Sequence, residues 1–124
     1  MQVIVHNLDR PDVKPVLAKY CASFLCRLRG LTFRRNLGED EGLLLVEKRD
    51  SKLDSSIHML WVFFDLAVIW INEAGEVADV QLARKWRLAY VPKRPASFIL
   101  EINPSRLFDF KIGDQVRFEE VRLG

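Results

Sequence analysis

From Ile57 to Ile71 the chain is almost wholly apolar and aromatic, and only His58 and Asp65 interrupt it with polar side chains. A membrane-spanning helix needs roughly 18 to 20 residues with few or no charges, so this run is too short and too polar to be one. It reads instead as the buried centre of a soluble domain, where any polar group must find a partner. Phe, Trp, Val and Ile dominate the run and favour strand over helix. The expected arrangement is one strand around His58 to Val62, a bend near Asp65, and a second strand from Leu66 to Ile71.

The rest of the chain carries shorter patterns. Val3 to Val5 is a β-branched run, stopped by the turn-forming segment Asn7 to Asp12 with Pro11. After Pro15, the positions Val16, Leu17, Tyr20, Phe24, Leu25 and Leu28 partly follow helical spacing, and Gly30 would end such a helix. A strand from Val16 to Cys21 followed by a helix from Ala22 to Arg29 accommodates the same residues and is preferred. Leu31 to Leu37 is expected as a short helical turn and Gly38 to Gly42 as a loop. Leu43 to Val46 is then a buried strand, and the charged residues Glu47 to Asp54 are a solvated connection.

Asn72 to Gly75 reads as a hairpin loop in which Gly75 takes a positive φ. Glu76 to Leu82 alternates, with Val77, Asp79 and Gln81 on one side and Ala78, Val80 and Leu82 on the other. Phe98 to Ile102 is another strand. Asn103 or Ser105 caps a short helix with Pro104 in its first turn. Ile112-Gly113-Asp114 then turns the chain into a last strand, Val116 to Val121. Short strands with one or two short helices and no βαβ alternation predict a β-rich α+β fold, a single domain over residues 1–124. Its sheet is antiparallel or mixed, and closure into a small barrel would leave no long open edge.

Composition changes this picture little. A chain of 124 residues can bury one core without disulfides or metals. Its net charge of +2 is too small to imply a nucleic-acid or membrane partner. The first residues lack a basic region followed by a signal-length apolar core, so a cytoplasmic protein is expected. Cys21 and Cys26 are the only cysteines, at a spacing that fits neither a redox pair nor a zinc site. Both are expected as free, buried or half-buried thiols in a reduced compartment. No cofactor motif or metal-ligand set is present, and neither a cofactor nor a metal is expected.

Candidate chemistry centres on His58, which is either a core histidine bonded to backbone or a base or ligand contact beside a carboxylate. Asp65 and Glu41 are the carboxylates in question. Arg34 reads carboxylate or phosphate well, and equally serves to pin the loop carrying Glu41. Trp61 joins Arg34 and His58 as a ligand-binding candidate. A second cluster, Arg84-Lys85-Trp86-Arg87 with Tyr90, Lys93 and Arg94, mixes cations and aromatics as single-stranded nucleic-acid sites do. The bland alternative is a solvated loop with Trp86 against the core.

Four islands in order resemble the DUF192 family of small bacterial and archaeal proteins. Residues Arg27 to Arg34 resemble its R-x-x-G-L-x-x-R opening, and Gly38 to Leu45 its acidic-Gly-Leu-Leu-Leu step. Ser56 to Ile71 resembles its H-T-x-x-M-x-x-P-I-D-V-V-F-L centre. Phe98 to Glu101 and Ile112 to Asp114 resemble its V-L-E and G-D close. The resemblance implies a compact β-rich domain and supplies no substrate. This chain departs from the pattern with Asp65 in place of Pro and Ala67 in place of the family's acid. The combined expectation is a non-catalytic module that binds a small ligand or protein in a groove between the Gly30 to Gly42 segment and the His58 strand. A metal-independent enzyme using His58 with Glu41 or Asp65 is the alternative. Nucleic-acid binding through Arg84 to Arg94 is a weaker one, with nucleic acid and membrane unlikely as partners.

Overall fold

A computed structural model describes residues 1–23, 26, 36–59, 62–87 and 89–121. Seven strands form one sheet: β1 Gln2–Asn7, β2 Val16–Cys21, β3 Glu41–Ser51, β4 Leu66–Ile71, β5 Val77–Ala83, β6 Ala96–Ile102 and β7 Val116–Val121. The spatial order is β5-β4-β6-β3-β2-β1-β7, with β2 and β3 parallel and every other neighbouring pair antiparallel. A 3-10 helix, Pro104–Asp109, follows β6. Asn103 caps it by accepting a hydrogen bond from the Ser105 N–H, and Pro104 sits where a helix has no use for an N–H.

Every strand sends side chains to one side of the sheet. Val3, Val5, Val16, Ala18, Leu44, Ile69, Ile71, Val77, Leu100, Ile102 and Val116 pack there into one core. The sheet curls around this core until its two edges meet at a corner. Val77 donates to the Asp114 carbonyl, Val116 donates to the Gly75 carbonyl, and Glu76 bridges Gln115. The expected small barrel is not formed. A barrel needs a continuous ladder between first and last strands, and here β5 and β7 share only the turn residues at their starts. Gly75 (φ 81°) and Gly113 (φ 95°) supply the left-handed conformations of those turns, and a Cβ on Gly75 would stand 2.6 Å from the Gln115 side chain.

The opposite side of the sheet is covered by residues 52–59 and 62–65. Ile57, Met59 and Val62 pack there on Leu43, Leu45, Leu66, Val68, Trp70 and Ile99. β4 is therefore buried on both faces along its whole length, and its sequence is continuously apolar for that reason. Ile69→Ala should destabilise by about 2–5 kcal/mol, the range for large buried side chains cut to Ala. Chemical denaturation checks this, and a loss below about 1 kcal/mol, the scale of surface changes, would contradict the packing.

Four further expectations are corrected. Residues 57–59 form a bridge to Tyr90 and cover the sheet, rather than contributing a strand over His58 to Val62. β3 runs on to Ser51 through the charged residues expected as a connection. Its pairing with β6 breaks register after Val46 and resumes at Ser51, which leaves Lys48, Arg49 and Asp50 exposed and solvated although extended. The alternation of β5 is broken by a shift in register between Trp70 and Ile71, which pair with Asp79 and Val77. The extra residue turns Asp79 away from the side that Val77 faces. Cys21 and Cys26 form a disulfide instead of two free thiols, since β2 ends where the following chain returns to the same core cluster. The helix from Ala22 to Arg29 and the turn from Leu31 to Leu37 lie almost wholly outside the described residues.

Candidate functional site

The covering segment and the loop after β5 are tied together by main-chain hydrogen bonds. Ile57 and Tyr90 exchange two, of 3.0 and 2.8 Å, Met59 donates to the Arg87 carbonyl, and Trp86 donates to the Met59 carbonyl. The loop is held from its other side by side chains. Tyr90 Oη accepts from the Arg84 N–H at 2.6 Å, and Asp65 Oδ1 accepts from the Lys85 N–H at 2.9 Å. Three consecutive backbone N–H groups of residues 84–86 are thus each committed to a different partner. The loop is built, not merely exposed.

This bracing holds Trp86 at φ 67°, the only positive φ at a non-glycine among the described residues. A bulky side chain adopts that conformation only when its surroundings impose it, and such strain concentrates at binding sites. The result is an indole 45% exposed, in edge contact with Phe63, itself 42% exposed, at 5.6 Å between ring centroids. Lys85 and Arg87 flank Trp86 in the chain and are both exposed. Among the described residues neither side chain has an ion-pair partner, whereas Arg84 lies 3.6 Å from Asp65 Oδ2.

Beside the Phe63–Trp86 pair opens a cleft of about 460 Å³, lined by Asn36, Leu37, Phe63, Phe64, Asp65, Lys85, Asn103 and Pro104. Asn103 fixes its floor, donating through Nδ2 to the Leu37 carbonyl at 2.8 Å while its oxygen caps the 3-10 helix. Arg106, almost fully buried, donates to the carbonyls of Lys14 and Glu39 and so anchors the chain on either side of the same region.

The structure separates the residues singled out from the sequence. His58 is exposed rather than a core histidine, because its neighbours Ile57 and Met59 take the inward positions. Among the described residues it has no hydrogen bond or ion pair with Glu41 or Asp65. Glu41 begins β3 and accepts from the Gly38 N–H at 2.7 Å, closing the loop before it. Asp65 lines the cleft, but its carboxylate is occupied by the loop it braces. Ala67, where the family pattern has an acid, is fully buried in the inner core, whereas Asp65 lines the cleft. Arg34 and Trp61 lie outside the described residues, as do residues 30–35 of the Gly30 to Gly42 segment expected to form one wall of a groove.

One chemically distinctive residue was missed. Glu101, on β6 between Leu43 of β3 and Val68 of β4, is 4% exposed, and its Oε1 has no hydrogen-bond partner. Burial pushes its carboxyl up from 4.5 to about 7. The signal was present as a lone acid inside the apolar strand Ala96–Ile102. Asp79, also fully buried, is different. It accepts from the N–H groups of Val80 and Lys93 and from the Gln81 amide, and so holds the chain after β5. Among the described residues no group of three or more His, Cys, Asp or Glu is arranged to hold a metal ion. No helix among them is long and apolar enough to cross a membrane.

Residues 5–118 match the family model DUF192, described as uncharacterized ACR. The chain belongs to the DUF192 family. A UPF0127 protein of Thermococcus kodakarensis is 34% identical over 100 residues, covering 79% of this chain and 62% of that protein. A UPF0127 protein of Pyrococcus furiosus is 29% identical over 93% of this chain and 97% of its own length. The chain spans less than two thirds of the length of the Thermococcus relatives it matches. A crystal structure of a protein of unknown function from Novosphingobium aromaticivorans superposes with a TM-score of 0.74 at 21% identity, covering 94% of this chain and 84% of the other. One from Sinorhizobium meliloti, titled a "putative transcription regulator", gives 0.80 at 16% identity, covering 94% and 92%. At such identities the likeness is one of fold.

Proposed function

We propose that this DUF192 chain is a non-catalytic module that binds a small ligand in the cleft between Phe63, Lys85 and Asn103. The observation that carries this reading is the braced loop, which places Lys85 on the wall of a cleft of about 460 Å³ and holds Trp86 in a strained conformation against Phe63, another of its lining residues. That volume lies within the roughly 300–1,000 Å³ of small-molecule sites, and the mixture of aromatic faces with a few fixed polar groups is typical of them. A preorganised site spends less of its binding energy on ordering loops. The alternative, catalysis by His58 with Glu41 or Asp65, lacks the converging acid–base pair that proton transfer needs. The unit at 1–124 is taken as one domain for the same reading. A cytoplasmic location is compatible with the disulfide only if the bond resists the reducing thiol pool, and the near-complete burial of Cys21 favours that.

The test is a fragment screen by NMR on the full chain. Binders should perturb the amides of residues 63–65, 85 and 103, and Phe63→Ser should remove those perturbations while leaving the rest of the spectrum in place. Binders that gather elsewhere, for example in the smaller cleft of about 270 Å³ near His6 and Arg117, would overturn the assignment of the site.

A further inference from the structure

We infer that the cleft takes a zwitterionic α-amino acid with an apolar or aromatic side chain, its carboxylate on Lys85 and its ammonium on Asp65. This rests on the reading of the cleft as a ligand site and names the class of ligand. Two opposite charges line the cleft side by side. Asp65 Oδ1 accepts from the Lys85 N–H at 2.9 Å, which fixes the two residues as neighbours on the wall. Yet the Lys85 ammonium forms no ion pair with that carboxylate or, among the described residues, with any other. A lone anion would meet the Asp65 carboxylate, and a lone cation would meet the Lys85 ammonium. Like charges brought together at a binding site cost affinity. A ligand carrying both signs satisfies both groups.

The bracing of the loop does not exhaust Asp65. A carboxylate accepts at about four positions. The Lys85 N–H takes one of them, and Arg84 stands 3.6 Å from Oδ2, beyond hydrogen-bond reach, in an exposed ion pair of little strength. The apolar lining suits the rest of such a ligand. Phe63 is 42% exposed, Phe64 is half-buried against the outer core, and Leu37 and Pro104 add apolar surface beside them. The side chain of the amino acid lies there, while its two charged groups meet Asp65 and Lys85.

The experiment titrates the full chain with L-phenylalanine and with three relatives that lack one or both charges: phenethylamine, 3-phenylpropionate and N-acetylphenylalanine amide. Binding is followed by NMR at the backbone amides of residues 63–65, 85 and 103. L-phenylalanine should bind roughly three- to tenfold more tightly than any of the three, the modest gain that charge-assisted contacts give at partly exposed groups. Lys85→Gln should bring it down to the level of phenethylamine. Asp65→Asn, whose Oδ1 still accepts the Lys85 N–H and so keeps the loop braced, should bring it down to the level of 3-phenylpropionate. Equal binding of all four compounds, or tighter binding of either singly charged one, would overturn the zwitterion assignment. So would a preference for L-phenylalanine that survives both variants. If neutral fragments perturb residues 63–65, 85 and 103 but L-phenylalanine does not, the ligand class fails and the cleft stands. If nothing perturbs them, both fail.

Discussion

Glu101→Gln should remove about 3 kcal/mol of pH dependence from the stability of the protein. The carboxyl is buried, its Oε1 is unpartnered, and it is held up at about 7 from 4.5, a gap that converts to this energy at about 1.4 kcal/mol for each pH unit. The unfolded chain releases this proton near pH 4.5 and the folded protein only near pH 7. Between those values the folded state binds more protons, so its stability falls as the pH rises. The contribution is complete below pH 4.5, declines through the window and is level above pH 7. Urea denaturation at pH 4.5 and pH 8 gives the measurement. The difference between wild type and Glu101→Gln should change by about 3 kcal/mol between the two, with the variant gaining at the higher pH. Parallel curves for the two proteins would mean that Glu101 has a partner that satisfies its charge.

The second large effect is expected at Trp70. Its side chain is fully buried under the outer cover, and its Nε1 donates at 2.7 Å to the Ser55 carbonyl, which pins the covering segment to the sheet. Trp70→Ala should cost about 3–5 kcal/mol through lost burial and the cavity left behind. Trp70→Phe keeps most of the ring but leaves the Ser55 carbonyl without its donor, and should cost about 1–3 kcal/mol. Both are read from denaturation midpoints. In Trp70→Phe, backbone amides of residues 53–59 should also exchange faster with solvent, because the cover is released before the sheet unfolds. Unchanged exchange there would mean that the cover is held by its apolar contacts alone.

The strands were legible where burial is local in sequence. β4 announced itself because a strand covered on both faces has no polar position to show, and β7 because its apolar and charged residues alternate. The hairpin glycine Gly75 and the Asn103-Pro104 helix start were legible because each conformation admits few residue types. Membership of DUF192 was equally local, carried by islands in order along the chain. The site was much less so. Aromatic and basic residues at 84–87 looked like a solvated loop, and nothing near them in sequence reveals that Asp65, Tyr90 and Met59 seize their backbone.

The sequence alone therefore located the seven strands, although it added one over His58 to Val62 and ended β3 too early, and it showed that Gly75 serves a turn and that β4 is buried, since each follows from the pattern of side chains along a few residues. Only the tertiary structure decided that the sheet stays open, that Glu101 is sealed without a partner, and that His58 faces solvent. It also decided that Phe63 meets Trp86 beside a cleft. Those outcomes depend on contacts between residues distant along the chain, chosen by the packing of the whole sheet and its cover and not by any local pattern.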